Sequence, residues 1–358
     1  MEKTFMKGGE AISEAAIRAG CRFFAGYPIT PQNEVPEYFS RRMPEVNGVF
    51  IQGESEVASI NMINGAAFGG TRSMTSSASC GISLKAEGVS VAAANHLPIV
   101  ICNVQRAGPG VGPIVGSQQD YWLSTKAYGN GGFKLFVLAP ESVQEAVDMT
   151  YEAFDIAEKY RNPVMLLVDG IQSIMMEPVV LPPMLSDEEI AAKKAKIKAE
   201  WGCGDSTGRT VKHPLNPKRA GGQMEMNRLD WEMYEGWKRD EPRWEDYFVD
   251  DAEVIIAAYG ISARIAKSAI AILRREGVKV GMVRPKTVFP FPTEAYAKLD
   301  PAKVKFILNV EMSMPPQMIE DVQAAVQFNI PNELCLTSGG TIMGRDTIVE
   351  KVKELLNK

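Results

Sequence analysis

The sequence predicts an α/β fold made of two parallel-sheet domains joined by an arm. Three observations carry this prediction. Short apolar runs alternate with segments of helical periodicity over residues 1–180, the same alternation restarts near Asp251, and a polar stretch of different character lies between them. Continuous apolar strands separated by helices are the pattern of a parallel sheet covered on both faces.

Taken in order, apolar spacing predicts a helix over 10–19, strands over 22–25 and 49–52, and a helix over 55–68. A strand over 73–76 precedes a helix over 82–94, and the strongly apolar run 97–104 is a strand. A strand over 133–138, a long helix over 142–159 and a fully apolar strand over 163–168 complete the first unit. Ser186-Asp187-Glu188-Glu189 is a helix start with Ser186 at the N-cap. The Lys- and Ala-rich stretch 191–198 has a solvated face, and after Gly202 the chain turns polar and rich in Gly and Pro. Trp201, Trp231, Tyr234, Trp237, Trp244 and Tyr247 dot this region. Disordered segments are poor in aromatics, so the region reads as an arm that packs on a partner subunit or on its own protomer. The second unit predicts strands over 254–258, 278–283 and 306–310, with helices over 262–276, 317–326 and 347–356. The expected boundaries are 1–185 for the first domain, 186–248 for the linker or arm and 249–358 for the second domain.

Composition narrows the function. A chain of 358 residues with 45% hydrophobic and 23% charged residues forms a sizeable core. A net charge of −5 lacks the basic footprint of a nucleic-acid binder. No apolar run approaches the roughly 18 residues needed to span a bilayer, and Met1-Glu2-Lys3-Thr4 lacks the apolar core of a signal peptide, so a cytoplasmic protein with no membrane partner is expected. The five cysteines, Cys21, Cys80, Cys102, Cys203 and Cys335, form no Cys-x-x-Cys pair; iron–sulfur clusters, if the reaction needs them, belong to another chain. No metal-ligand set is predicted. Of the two histidines, His96 reads as a structural, hydrogen-bonded residue and His213 lies in a basic loop, so histidine acid–base catalysis is poorly supported.

Three segments, in order, carry chemistry. Tyr27-Pro28-Ile29-Thr30-Pro31 is a rigid hydroxyl-bearing turn after a strand; Glu54-Ser55-Glu56-Val57 opens a helix; Val104-Gln105-Arg106-Ala107-Gly108-Pro109-Gly110 puts an arginine on a glycine-rich loop. In an open parallel sheet such strand ends converge on one crevice, where ligands bind. A carboxylate, a hydroxyl and a guanidinium there suit a heteroaromatic cofactor and an anionic substrate. Each residue also has a plainer reading. Glu56 is a first-turn acid favoured by the helix dipole. Thr30 caps the following helix with Pro31 at its first position. Arg106 is a surface arginine at a strand end, and Ser117, in the run 117–121 that continues the pocket wall, is a helix N-cap. Ser76-Ser77-Ala78-Ser79-Cys80-Gly81 opens a helix after a strand, a natural anion site, yet neither G-x-G-x-x-G nor a P-loop occurs there.

The motifs GYPITPQNEVPEY, ESEVASINMINGAAFGG, NVQRAGPGVGPIVGSQQDY and YRNPVMLLVDG, taken together and in order, resemble the alpha subunit of the 2-oxoacid:ferredoxin oxidoreductases, most closely the branched-chain 2-oxoisovalerate (VorB-like) type. The resemblance covers most of residues 5–180 and again about 250–325. It implies a thiamine-diphosphate-binding, pyrimidine-type parallel-sheet domain followed by a transketolase C-terminal-like α/β domain. It implies oxidative decarboxylation of a 2-oxoacid to an acyl-CoA, with ferredoxin as acceptor and coenzyme A as co-substrate. Glu56 matches the glutamate that hydrogen-bonds N1′ of the aminopyrimidine, Pro28 and Ile29 belong to the cofactor-binding turn, Thr30 contacts the oxoacid, and Arg106 binds its carboxylate and can meet coenzyme A. No G-D-G…N segment is present, so a beta subunit is expected to hold Mg2+ and the diphosphate. A gamma subunit and a small ferredoxin-like subunit carrying the clusters are expected as further partners. In the second unit, Arg284-Pro285-Lys286-Thr287-Val288-Phe289-Pro290-Phe291-Pro292 resembles the family's R-P-x-T-x-W-P-F-P segment with Phe289 in place of tryptophan. Val310-Glu311-Met312 resembles its next strand end, with Pro316-Gln317 where Gly-Gln is usual. Both segments read as structural and subunit-contacting. The alternatives are the 2-oxoglutarate version of the same subunit, which needs a further cation for the second carboxylate, and a non-catalytic assembly module with a degenerate site.

Overall fold

The computed structural model describes residues 3–203 and 222–357. Fourteen strands run in chain order as β1 (Thr4–Lys7), β2 (Phe23–Gly26), β3 (Val49–Gln52), β4 (Ser73–Ser77), β5 (Ile99–Gln105), β6 (Phe136–Leu138), β7 (Val164–Asp169), β8 (Met176–Val179), β9 (Trp244–Tyr247), β10 (Val254–Ala257), β11 (Val280–Pro285), β12 (Thr287–Phe289), β13 (Phe306–Glu311) and β14 (Asn332–Leu336). The α-helices are α1 (Gly8–Arg18), α2 (Glu34–Arg42), α3 (Glu56–Phe68), α4 (Ser79–Ala94), α5 (Tyr121–Thr125), α6 (Val143–Tyr160), α7 (Gly170–Ile174), α8 (Asp187–Glu200), α9 (Gly222–Asp240), α10 (Gly260–Arg275), α11 (Thr293–Ala297), α12 (Ile319–Ala325) and α13 (Arg345–Leu356).

Among these residues the first sheet has the order β12-β6-β7-β5-β4-β2-β3. Every neighbouring pair is parallel except β12 against β6. The centre is apolar and dry: every residue of β5, β6 and β7 is buried, as a sheet covered on both faces requires. The second sheet, β14-β13-β10-β11-β9, is parallel apart from β9. The predicted strands and long helices are present, with ends shifted by a few residues.

Pattern reading missed the short edge strands. β1 and β8 pair antiparallel, and β9, β12 and β14 flank longer strands; each is only three to five residues long, too short to show a period. Residues 222–240, read as polar arm, form α9. Its charges hide a narrow stripe of Met226, Tyr234 and Trp237, which are buried. Trp237 packs edge-on against Phe136, Tyr160, Tyr234 and Phe289, so this aromatic region packs on its own chain. His213 lies outside the described residues.

The two sheets are stitched together. β12 leaves the second unit to extend the first sheet. The buried Arg284 guanidinium donates to both oxygens of Glu145 on α6 at 2.7 and 2.8 Å, and to Glu245 at 2.8 Å. Glu145 is held below the usual carboxylate range: burial raises it, and Arg284 outweighs that. The Gln118 amide donates to the Tyr259 carbonyl at 2.8 Å and accepts from Ser262 Oγ at 2.6 Å and from the Met312 amide at 3.1 Å. Glu311 accepts the amides of Gln317, Met318 and Ile319 at 2.8, 3.0 and 3.2 Å, which closes the turn containing Pro316. Gln317 in turn donates to the Gln119 carbonyl at 2.8 Å, so this turn also docks on the first unit.

Candidate active site

The strand order reverses between β2 and β4, since the chain moves outward from β2 to β3 and then returns to β4. That switch point opens a crevice at the carboxyl ends of the strands. The three predicted segments leave β2, β3 and β5 on this side, and the start of α4 leaves β4 between them.

Glu56 is the first residue of α3, behind Ser55, whose Oγ accepts the Ala58 amide at 3.1 Å. Its side chain is 5% exposed, and no described residue donates a hydrogen bond to its carboxylate. The carboxylate rests against Gly81, where a Cβ would lie 2.6 Å from Glu56 Oε1 and 2.1 Å from Ser77 Oγ. Only glycine leaves room for both. Glu54, two residues earlier, is exposed.

Arg106 directly follows β5 and is 5% exposed. Its Nη1 donates to the Thr30 carbonyl oxygen at 2.9 Å and its Nη2 to Cys80 Sγ at 3.0 Å. Nε is buried without a partner among the described residues. Arg106 is therefore not a surface residue at a strand end. Cys80 and Gly81 are consecutive, so Arg106 and Glu56 flank the same first turn of α4. A helix N-terminus adds positive potential there.

Thr30 is half-buried, and its Oγ1 accepts from Asn33 Nδ2 at 3.4 Å. The capping reading fails. α2 starts at Glu34 behind Asn33, because Gln32 closes the turn first: its amide donates to the Ile29 carbonyl at 3.1 Å and its Nε2 to the Tyr27 carbonyl at 3.2 Å. Pro28 is exposed and Ile29 half-buried on that turn. Ser117 is not a helix cap either. α5 begins at Tyr121, and Ser117 Oγ sits 3.3 Å from both the Met312 carbonyl and Gln119 Oε1. His96 is buried at a positive φ of 52° and lies 3.5 Å from Asp230 of α9, a structural role.

Behind the crevice, residues of the singled-out segments make contacts that the sequence did not specify, and Lys85 was not singled out at all. Ser79 Oγ accepts the Arg106 amide at 2.9 Å and donates to Asp120 at 2.7 Å; Asn103 donates to the same carboxylate oxygen at 3.0 Å. Burial raises the Asp120 carboxyl, and these two donors oppose the rise. Gln32 accepts from Ser76 Oγ and so ties β4 to the turn after β2. Lys85 is fully buried on α4, its Nζ 3.4 Å from the Glu56 main-chain oxygen. The available signal was polar side chains at positions where apolar ones were predicted, and it does not say what they touch.

The family described as "Pyruvate flavodoxin/ferredoxin oxidoreductase, thiamine diP-bdg" matches residues 14–233, and "Pyruvate:ferredoxin oxidoreductase core domain II" matches residues 252–352. The chain belongs to the 2-oxoacid:ferredoxin oxidoreductases. It is 42% identical to the ketoisovalerate oxidoreductase subunit VorB of Methanothermobacter thermautotrophicus, over 99% of this chain and 98% of the relative. It is 35% identical to the 2-oxoglutarate synthase subunit KorA of Archaeoglobus fulgidus, over 99% of each. The solved 2-oxoglutarate:ferredoxin oxidoreductase from Magnetococcus marinus, with 2-oxoglutarate, coenzyme A and succinyl-CoA bound, superposes with a TM-score of 0.85 at 25% identity. That comparison covers 99% of this chain and 65% of the other. A split-gene transketolase shares the fold alone, with a TM-score of 0.59 at 14% identity. This 2-oxoacid:ferredoxin oxidoreductase chain is thus one subunit of a thiamine-dependent, multi-subunit enzyme. Among its described residues no helix is long and apolar enough to cross a membrane.

Proposed function

We propose that this chain supplies the pyrimidine side of a thiamine diphosphate site and the carboxylate-binding side of the oxoacid site, and that 2-oxoisovalerate is its preferred substrate. The observation that supports this most is the largely buried Glu56, whose carboxylate accepts no hydrogen bond from a described residue, together with the buried Arg106 Nε, which has no partner among the described residues. A buried polar group without a partner is costly unless a ligand satisfies it.

When bound, thiamine diphosphate would supply a nucleophilic carbon and an electron sink for the decarboxylation. Glu56 holds a proton at ring nitrogen N1′. Pro28 and Ile29 line the ring from the turn after β2. The Arg106 edge carrying Nε binds the acid's carboxylate, while Nη1 stays tied to Thr30. The Thr30 hydroxyl orients the oxo acid, and the start of α4 favours its negative charge. A beta subunit holds Mg2+ and the diphosphate. A gamma subunit and a ferredoxin-like subunit complete the assembly; partner chains carry the clusters, coenzyme A takes the acyl group, and the complex works in the cytoplasm. The domain division 1–185, 186–248 and 249–358 belongs to the same reading.

The branched-chain acid is favoured over 2-oxoglutarate by the loop after Arg106. Residues 107–116 contain no cation, and they present Val111, Ile114 and Val115 exposed. A second carboxylate would find no partner on this loop. The test is dye reduction by the chain co-expressed with its partner subunits, given thiamine diphosphate, Mg2+ and coenzyme A. Highest kcat/KM with 2-oxoisovalerate supports the reading, and highest kcat/KM with 2-oxoglutarate replaces it with the second one. No turnover with any acid by an assembled, cluster-loaded complex would leave an assembly module.

A further inference from the structure

Helices α3 and α4 approach closely because α4 turns glycines toward α3. A Cβ at Gly81 would meet Glu56, and a Cβ at Gly88 would lie 2.4 Å from Ile60 Cγ2. Asn64 Nδ2 donates to the Gly88 carbonyl at 2.9 Å across the same contact. Between the two glycines stands one long charged side chain, Lys85. It is fully buried, and among the described residues its ammonium has a single acceptor, the main-chain oxygen of Glu56 at 3.4 Å. One long hydrogen bond is poor compensation for a buried ammonium. An apolar side chain of that length would fit an interface of glycine and isoleucine at least as well.

We infer that Lys85 is a positioning residue for Glu56: its ammonium anchors the first turn of α3 and, through its charge, holds in place the carboxylate that meets the thiamine ring. The inference rests on the role proposed for Glu56. A positive charge held at the first turn of α3 attracts the anionic carboxylate and keeps it in place against the ring. Burial lowers the Lys85 ammonium to about 8, and the Glu56 charge opposes the fall, so Lys85 remains mostly protonated at neutral pH.

The test uses the complex with its beta subunit and the variants Lys85→Met, Lys85→Gln and Glu56→Gln. Three readouts are needed: melting temperature, thiamine diphosphate binding by calorimetry, and the circular-dichroism band that reports the tautomer of the bound ring. Lys85→Met is expected to assemble and melt no lower than wild type, to bind the cofactor, to lose most of the tautomer band, and to lower kcat on the order of tenfold, the effect of one pKa unit. Lys85→Gln keeps a donor for the Glu56 carbonyl without the charge, and is expected to fall as far. Wild-type band and kcat in Lys85→Gln would overturn the charge role. A lower melting temperature with an intact band in Lys85→Met would show a structural lysine only. Failure of the wild-type complex to bind thiamine diphosphate, or a wild-type band in Glu56→Gln, would instead remove the role of Glu56 and this inference with it.

Discussion

Arg106 donates to the carbonyl oxygen of Thr30 at 2.9 Å, joining two residues 76 positions apart in the chain. The bond spans the switch point between β2 and β4, from the turn after β2 to the residue after β5, and it fixes one arm of the guanidinium while Nε has no partner among the described residues. A fork held in this way presents one preset edge to a carboxylate. Arg106→Ala should therefore lower kcat/KM by about 10- to 100-fold, chiefly through the KM for the oxoacid or for coenzyme A, as loss of charge-assisted hydrogen bonds predicts. Arg106→Lys should not restore it, since an ammonium lacks the planar fork. Unchanged KM values for both compounds in Arg106→Ala would refute an anion-binding role.

Glu56→Ala should abolish thiamine-dependent turnover, a fall of more than about 10²-fold. It should leave assembly and melting temperature close to wild type, because Ser55, not Glu56, caps α3. Steady-state dye reduction and a thermal melt together decide this; turnover near wild type would take Glu56 out of the mechanism.

Arg284 is 1% exposed and faces Glu145 and Glu245. Arg284→Met should cost about 1–3 kcal/mol, because it removes charge-assisted hydrogen bonds from the half-buried Glu145 and Glu245, which keep Lys286 and Lys267 as partners. Denaturant unfolding measures it. A loss below about 1 kcal/mol would mean that water reaches Glu145 and satisfies it.

Asp169 gives a pH signature. It caps α7 from a fully buried position, and burial pushes its carboxyl up to about 6, against hydrogen bonds from the Gln172, Ile171 and Ile261 amides. Because the folded value lies above the unfolded one, the native state holds the proton at pH values where the unfolded chain has lost it. This residue's contribution then favours folding below about 4 and declines as pH rises to about 6, by about 3 kcal/mol in all. Asp169→Asn, which retains an acceptor for the helix amides, should be less steep than wild type across that window in denaturation experiments. Identical slopes would show that Asp169 ionises in the folded state as it does in a peptide.

The frame of the molecule was legible because its strands are apolar throughout and its helices long. Val164–Asp169 and Val143–Tyr160 could hardly read otherwise. The three segments around Thr30, Glu56 and Arg106 were legible too, since each follows a strand and the topology gathers strand ends. Local caps were less so. Thr30 and Ser117 have the residue types of N-caps, yet Gln32 and the contacts to Met312 claim the neighbouring backbone first, and only tertiary structure reveals that competition. Lys85 was invisible for a different reason: a lysine in a helix rich in alanine, serine and glycine gives no sign that glycines on either side of it have brought another helix against it.

The strand Thr287–Phe289 also bears on how such subunits can be recombined. Residue 250 looks like the natural cut for a chimaera between relatives that prefer different acids. A graft made there would ask a foreign β12 to complete the host's sheet at Phe136–Leu138, and a foreign Phe289 to pack on the host's Trp237. Exchanges confined to residues 107–116 leave that seam untouched. Substrate preference should therefore travel with a ten-residue loop more readily than with either half of the chain.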